Sequence, residues 1–268
     1  MQRKNRLSLV YIFTILLFLY LPMACVVVYS FNTSKSTAIW GGFTLDWYAQ
    51  MARDRGLLEG LSISLRVGLA TSALSSAVGT FGAVAMDRRR GAFVKATQGL
   101  VYLPLIIPEI VLGVALMVLF AALGMQPGYL PLIIAHSAFC IPYVYILVHI
   151  RLQTLDPAIR EAARDLGASR MVAFRTITLP LAAPAIASGA LLAFAMSLDD
   201  VVISFFVSGP TTQTLPLQIF SMLRLGITPK VNALCTLILV ATFMVVGIML
   251  TVQNRVARKN EAPPEEIL

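Results

Sequence analysis

Six apolar segments, each long enough to cross a membrane, dominate this sequence. They cover approximately residues 7–31, 61–86, 99–123, 129–150, 181–207 and 231–252. A membrane-spanning helix needs about 20 mainly apolar residues, because the hydrocarbon core of a bilayer is about 30 Å thick. Of the 268 residues, 58% are hydrophobic and only 13% are charged, which is typical of a protein that has lipid as its solvent. The sequence therefore predicts an all-α membrane protein with six transmembrane helices.

The basic residues indicate how these segments are oriented. Most of the 21 lysines and arginines lie at the N-terminus, after the second and fourth segments, and in the C-terminal tail. Cytoplasmic connections of membrane proteins carry an excess of such residues. We therefore expect residues 1–6 and the tail at residues 253–268 to be cytoplasmic. The uncharged connection at residues 123–129 is expected to be a tight outer turn.

Composition and residue spacing exclude several functional classes. The net charge of +8 arises from short basic runs between apolar segments, which is not the pattern of a nucleic-acid-binding face. The three cysteines lie within apolar segments and form no C-x-x-C pair, and His136 and His149 are expected to be satisfied interior histidines. No metal site is predicted. No nucleophile–base set is apparent, so we do not expect an enzyme.

The connection after the fourth segment, residues 151–180, predicts a bent helical hairpin. Asp156 can cap a first helix, and Gly167 stands where a glycine usually follows a helix end. Ser169 can cap a second short helix, which Pro180 is expected to end or kink. This elbow is rich in arginine and poor in apolar surface. We expect it to dock on a partner or, alternatively, to rest on lipid headgroups.

A long, gapped motif lies within this elbow. It reads Glu161-Ala162-Ala163, three residues, Gly167, nine residues, Ile177, one residue and Leu179-Pro180. The motif resembles the EAA loop of ATP-binding-cassette (ABC) importer permeases, which is cytoplasmic and lies between the fourth and fifth of six spans. The resemblance implies a type I (MetI-like) permease fold over residues 7–252, with residues 156–180 as the coupling loop. The residues implied to couple to the ATPase are Glu161, Ala162, Ala163 and Gly167.

The same resemblance implies the partners of this chain. They are an ATPase subunit dimer, a second and homologous permease subunit, a periplasmic solute-binding protein and the lipid of a bacterial inner membrane. The chain has no G-x-x-x-x-G-K-[ST] loop, so the nucleotide site is expected on the ATPase. ATP and Mg²⁺ would bind there, and no cofactor is expected in this chain.

Three acidic residues interrupt the apolar segments. Glu109 lies in the third segment, and Asp199 and Asp200 lie in the fifth. A charge in lipid costs about 2.5–3.5 kcal/mol on insertion scales, so it indicates a function. Carboxylates that face a cavity would favour a cationic solute. The alternatives are that one aspartate caps a helix break or bridges two spans, and that Glu109 is protonated.

Further stretches resemble the polyamine branch of these permeases. They are Ser30-Phe31-Asn32, Trp47-Tyr48, Leu103-Pro104 with Pro108-Glu109, the run from Ser197 to Pro210, Thr214-Leu-Pro216 and Val231-Asn-Ala-Leu234. This similarity implies import of putrescine or spermidine. The region of Trp40 and the segment Arg224-Leu-Gly226 are more similar to the putrescine-type subunit. The other interpretations are the same fold with another cargo, such as iron, and a secondary transporter.

The outer connection at residues 32–60 has two interpretations. It contains Trp40, Trp47 and Tyr48, and such aromatic residues favour the membrane–water boundary. The connection is therefore expected either to anchor the chain at that boundary or to contact an extracytoplasmic partner.

Overall fold

The computed structural model describes residues 6–35, 39–87, 89, 91–226 and 228–244. Within these ranges the chain is mostly helical, and the one β-type pairing is an isolated bridge between Asn32 and Phe43. The predicted all-α class is therefore confirmed. Several predicted features lie outside the described residues, namely most of the cytoplasmic N-terminus, Arg88 and Arg90, the end of the sixth span and the C-terminal tail.

The helices are numbered in chain order. They are α1 Arg6–Tyr29, α2 Asp46–Ala52, α3 Arg55–Met86, α4 Ala92–Ile106, α5 Glu109–Ala122, α6 Tyr129–Thr154, α7 Pro157–Asp165, α8 Arg170–Ala173, α9 Leu179–Asp199, α10 Val202–Val207, α11 Leu215–Leu225 and α12 Pro229–Met244.

Within the described ranges, four helices are long and apolar enough to cross a bilayer. They are Leu9–Tyr29, Arg55–Met86, Tyr129–Thr154 and Met171–Asp199. The third predicted span is divided between α4 and α5, which meet at an angle of 110°. The fifth is divided between α9 and α10. The sixth corresponds to α12, a shorter apolar helix as far as the structure describes it.

The chain divides into two compact units, of which one combines residues Met1–Asp54 and Ser221–Leu268. Helix α1 in this unit is apolar, and the residues of Leu9–Tyr29 that form its most apolar window are not buried. Such a helix has no polar face, which is expected where lipid or another apolar surface surrounds it. Elsewhere in this unit, Lys230 pairs with the carboxylate of Asp54.

The connection after α1 in this unit is folded around Asn32, whose side chain is fully buried. The Asn32 amide donates to the carbonyl of Ile39 at 2.8 Å and accepts from the N–H of Gly41 at 2.8 Å. The indole of Trp47 donates to the Asn32 carbonyl at 2.8 Å. These bonds join residues 32, 39, 41 and 47 of the connection, while Trp40 is about half exposed at 49%.

The second unit, Arg55–Phe220, is built on three helices that pack against one another, α3, α6 and α9. Helix α6 lies at its centre, since the window of α6 that is apolar enough to span is 61% buried. The core consists of apolar side chains from these helices and from α5 and α10. Its largest fully buried side chains are Tyr145, Ile63, Leu132, Leu152, Ile203, Val67, Val144 and Val148.

Close approach of the three helices depends on small residues. A β-carbon placed on Gly79 of α3 would lie 2.9 Å from Cβ of Val144 and 3.0 Å from the backbone nitrogen of Tyr145. On Gly189 of α9, it would lie 3.1 Å from a methyl group of the same valine. Small residues at helix contacts are typical of membrane proteins, because backbones that approach closely gain dispersion energy.

Candidate functional site

The elbow begins as its sequence predicts. Asp156 has extended backbone angles, and its carboxylate accepts the N–H of Ala158 at 2.9 Å. Pro157 occupies the first helical position, where its missing N–H has no cost. Helix α7 therefore starts with a carboxylate cap, and the predicted roles of Asp156 and Pro157 are confirmed.

The first helix of the elbow ends at a Schellman motif. Gly167 has φ of +85°, a left-handed conformation that side chains with a β-carbon disfavour. The N–H of Ala168 donates to the carbonyl of Ala163 at 3.0 Å, and the N–H of Gly167 donates to that of Arg164 at 2.9 Å. These two bonds satisfy carbonyls at the helix end and define the turn. A β-carbon on Gly167 would meet no atom of this chain within 4 Å, so the space around it is open.

The second half of the elbow differs from the prediction. The hydroxyl of Ser169 accepts the N–H of Val172 at 3.3 Å, so the predicted cap is present. The helix does not end near Pro180. Instead, α8 continues through a π-helical turn, Phe174–Thr178, into α9. Proline lacks an N–H and its ring crowds the preceding turn, and a wider π turn before it relieves that crowding.

The elbow exposes the motif residues and several apolar side chains. Glu161, Ala162 and Gly167 are exposed, and Ala163 is partly exposed. Leu166, beside the turn, is 89% exposed. Three more exposed apolar side chains are Ile159, Met171 and Val172. The elbow therefore exposes more apolar surface for docking than its arginine-rich sequence predicts.

The break in the third predicted span presents Glu109. The residue before Pro108, Ile107, is extended with φ −76° and ψ 130°, as a residue before proline prefers. Helix α4 therefore ends and α5 begins in a new direction, with Glu109 as its first residue. Its side chain is exposed.

The two neighbouring aspartates have different environments. Asp199 is the last residue of α9 and its side chain is exposed. The side chain of Asp200 is only 4% exposed. Its two carboxylate oxygens accept the N–H groups of Ile203 at 3.2 Å and Ser204 at 2.7 Å, and so cap α10. This geometry favours the helix-capping alternative for Asp200 and leaves Asp199 as the accessible carboxylate.

Helix α5 packs on α10 at the level of the two breaks. A β-carbon on Gly113 would lie 2.7 Å from the ring of Phe206 and 3.5 Å from the Cα atom of Ile203. Glu109 precedes Gly113 by four residues, and Asp199 precedes Ile203 by four and Phe206 by seven. Each exposed carboxylate thus lies at a helix end beside a break, Glu109 at the start of α5 and Asp199 at the end of α9.

Sequence reasoning did not find the polar contacts around His136. The histidine was expected to be an interior one with partners, and it is fully buried. Its imidazole contacts Ser197, Asp200 and Ser204, which are 61 to 68 residues away in the chain. A sequence pattern carries no signal for contacts at such separations. The described residues contain no group of three or more His, Cys, Asp or Glu side chains that could hold a metal.

Comparison with known proteins decides the family. Residues 76–259 match the family model described as "Binding-protein-dependent transport system inner membrane component". The chain belongs to this family. It is therefore an inner-membrane permease component of a transport system and not an enzyme, in agreement with the family predicted from the EAA motif.

Two relatives from Escherichia coli K12 show where this permease stands within its family. It is 40% identical to the spermidine/putrescine transport system permease protein PotC over 229 residues, 85% of this chain and 87% of PotC. It is 42% identical to the putrescine transport system permease protein PotI over 237 residues, 85% of this chain and 84% of PotI. The predicted similarity to the polyamine branch is confirmed.

A solved structure supports the fold of this permease. It is that of a bacterial alginate ABC transporter in complex with an alginate pentasaccharide-bound periplasmic protein. The similarity has a TM-score of 0.70 at 18% identity and covers 96% of this permease and 95% of that chain. The fold is thus that of an ABC importer permease.

Proposed function

We propose that this permease imports polyamines, with putrescine as the preferred cargo, in an ATP-driven cycle of alternating access. The observation that carries the proposal is the identity of 40–42% to polyamine permeases over 85% of the chain. Preference for putrescine is supported by the resemblance in the region of Trp40 and in Arg224-Leu-Gly226.

The cargo is proposed to pass Glu109 and Asp199. Both are exposed, and both lie at a break in an apolar span, where α5 starts and where α9 ends. A polyamine carries protonated amines on an apolar stem, so two carboxylates among apolar walls match its chemistry. Asp200 is proposed to support this path by capping α10 and not by contacting the cargo.

The elbow is proposed to receive force from the ATPase. Its first turn and its glycine turn are each fixed by hydrogen bonds within the elbow, while the motif residues and Leu166 remain exposed. A rigid element with an exposed apolar tip is suited to fit a groove on a partner. Glu161, Ala162, Ala163 and Gly167 are the residues proposed to lie in that groove.

The proposed partners are an ATPase dimer, a second homologous permease subunit and a periplasmic polyamine-binding protein. The similar alginate transporter is itself complexed with a periplasmic protein. With the elbow on the cytoplasmic side, both termini of this permease are proposed to be cytoplasmic, in agreement with the distribution of basic residues. ATP and Mg²⁺ are proposed to bind the ATPase alone.

The test is uptake into membrane vesicles from cells that express the complete transporter. Initial rates would be measured for radiolabelled putrescine, spermidine and ferric iron, with ATP supplied or withheld. We expect ATP-dependent uptake of putrescine at a lower KM than spermidine and no uptake of iron. Equal KM values would refute the putrescine preference. Uptake that continues without ATP would refute the ATP-driven mechanism, and uptake of iron alone would refute the polyamine cargo.

A further inference from the structure

One imidazole ring lies between the two helices into which the fifth span is divided. His136 of α6 places Nδ1 at 2.7 Å from the hydroxyl of Ser197, in the last turn of α9. Its Nε2 lies 3.0 Å from the hydroxyl of Ser204 and 3.2 Å from a carboxylate oxygen of Asp200, where α10 starts. A single side chain thus contacts both sides of the break.

These contacts favour one tautomer of the ring. An ionised carboxylate only accepts hydrogen bonds, so toward an ionised Asp200 the donor is Nε2. In the neutral ring, Nδ1 then accepts from the hydroxyl of Ser197. The Asp200 carboxylate also caps α10. The ring therefore contacts the same carboxylate that accepts the first N–H groups of that helix.

The ring is supported by a rigid surface. His136 is 0% exposed, and its ring packs edge-on against that of Phe139, with 5.9 Å between the ring centroids. One turn beyond His136 on α6, the thiol of Cys140 donates to the carbonyl of Ala193 in α9 at 3.6 Å. Helix α6 is central to the core, so His136 connects the break between α9 and α10 to that core.

The exposed carboxylate of Asp199 lies between the two anchored points. Residues 198 and 199 are the only ones between the anchors Ser197 and Asp200. The short segment that carries Asp199 is therefore bounded on each side by a residue whose side chain contacts the imidazole. We propose that His136 is a positioning residue that holds Asp199 toward the cargo. This proposal rests on the proposed role of Asp199 in the path.

The primary test compares substitutions of His136 in vesicles that contain the complete transporter. His136→Ala removes every contact of the ring, whereas His136→Gln keeps an amide that can reach the positions of Asp200 and Ser204. Rates of radiolabelled putrescine uptake are divided by the amount of assembled complex. Ser137→Ala is the matched control, because Ser137 is the next residue, is buried, and has a hydroxyl with no hydrogen-bond partner in the part of the chain that is described.

We expect His136→Ala to raise the KM for putrescine at least about tenfold. This is the effect of losing one hydrogen bond between charged groups, here the one between Asp199 and an amine of the cargo. The Vmax per complex should stay within about twofold of wild type, and His136→Gln should recover most of the KM. The control should retain the wild-type KM. If Vmax and assembly fall while KM is unchanged in both histidine variants, His136 is only structural and the proposal is overturned.

A double-mutant cycle tests whether the effect passes through Asp199. In the Asp199→Asn background, His136→Ala should raise KM no further, because the carboxylate that it orients is already absent. In the Glu109→Gln background, the two effects should add. An additive effect in both backgrounds would show that His136 acts by another route.

Carbodiimide labelling followed by mass spectrometry separates this proposal from the proposed function, because it requires no cargo. In the wild type, Asp199 should be labelled and Asp200 protected. His136→Ala and, more weakly, His136→Gln should expose Asp200 and change the labelling rate of Asp199. If Asp199→Asn leaves putrescine uptake unaltered while labelling responds to His136, the path role of Asp199 fails but the anchoring by His136 stands. Unchanged labelling in both histidine variants would overturn the anchoring itself.

Discussion

Replacement of Gly167 by valine tests the coupling role of the elbow. Gly167 has φ of +85°, and a left-handed conformation costs a residue with a β-carbon about 1–2 kcal/mol. A difference of about 1.4 kcal/mol changes a population tenfold, so the Schellman turn would be populated roughly 5- to 30-fold less. We expect putrescine uptake to fall by about the same factor, while the variant still inserts into the membrane.

Gly124 is a matched control within the same chain. It has φ of +68° and follows α5 in a turn with the same hydrogen-bond pattern. The N–H of Met125 donates to the carbonyl of Phe120 at 2.9 Å, and the N–H of Gly124 donates to that of Ala121 at 3.0 Å. A β-carbon there also meets no atom within 4 Å. Gly124→Val therefore introduces the same strain in a turn that is expected on the outer side.

The assay is the uptake rate per assembled complex together with the ATPase rate of the complex. We expect Gly167→Val to lose uptake and to uncouple the ATPase, and Gly167→Asn to retain most activity because asparagine tolerates the left-handed region. Gly124→Val should retain uptake. Equal losses at both glycines would show that backbone strain alone explains the result, and normal uptake by Gly167→Val would refute the coupling role.

The remaining predictions concern the carboxylates and the helix contacts. Asp199→Asn and Glu109→Gln should each raise the KM for putrescine without lowering the amount of assembled complex, and a parallel loss of both would favour a structural role. Asp200→Ala should lower the thermal stability of the purified complex by about 2–3 kcal/mol, because α10 loses its cap and a buried histidine loses a partner; unchanged stability would contradict this reasoning. Gly79→Ala should destabilise by about 1–3 kcal/mol through overpacking, whereas Gly99→Ala, with no atom within 4 Å, should be neutral or slightly stabilising in the same thermal assay.

Local chemistry made the elbow predictable from sequence. The caps at Asp156 and Ser169 and the turn at Gly167 depend on residues within five positions of one another, so their signals survive in a single sequence. The π turn is not predicted by the sequence, in which Pro180 is expected to end or kink the helix. In the structure, the chain widens one turn before the proline and the helix continues.

The breaks in the spans could be predicted from the sequence only in part. Hydrophobicity treats residues 99–123 as one segment, and it contains two prolines of different effect. Pro104 lies inside α4, whereas Pro108 marks the 110° change of direction. A proline signal alone does not distinguish them. The decision depends on packing of α5 against α10, which joins parts of the chain about 90 residues apart and leaves no local pattern.

The two interrupted spans have a consequence for assembly. A helix that crosses hydrocarbon satisfies its own amide and carbonyl groups. The helical hydrogen bonds stop at Ile107 and between α9 and α10. Backbone groups without partners there cannot face acyl chains without a large cost in free energy. These two breaks must therefore be covered by protein or lie along a water-filled passage. A bilayer alone is an unsuitable environment for it, so the isolated subunit should be less stable in membranes than the same subunit within its complex.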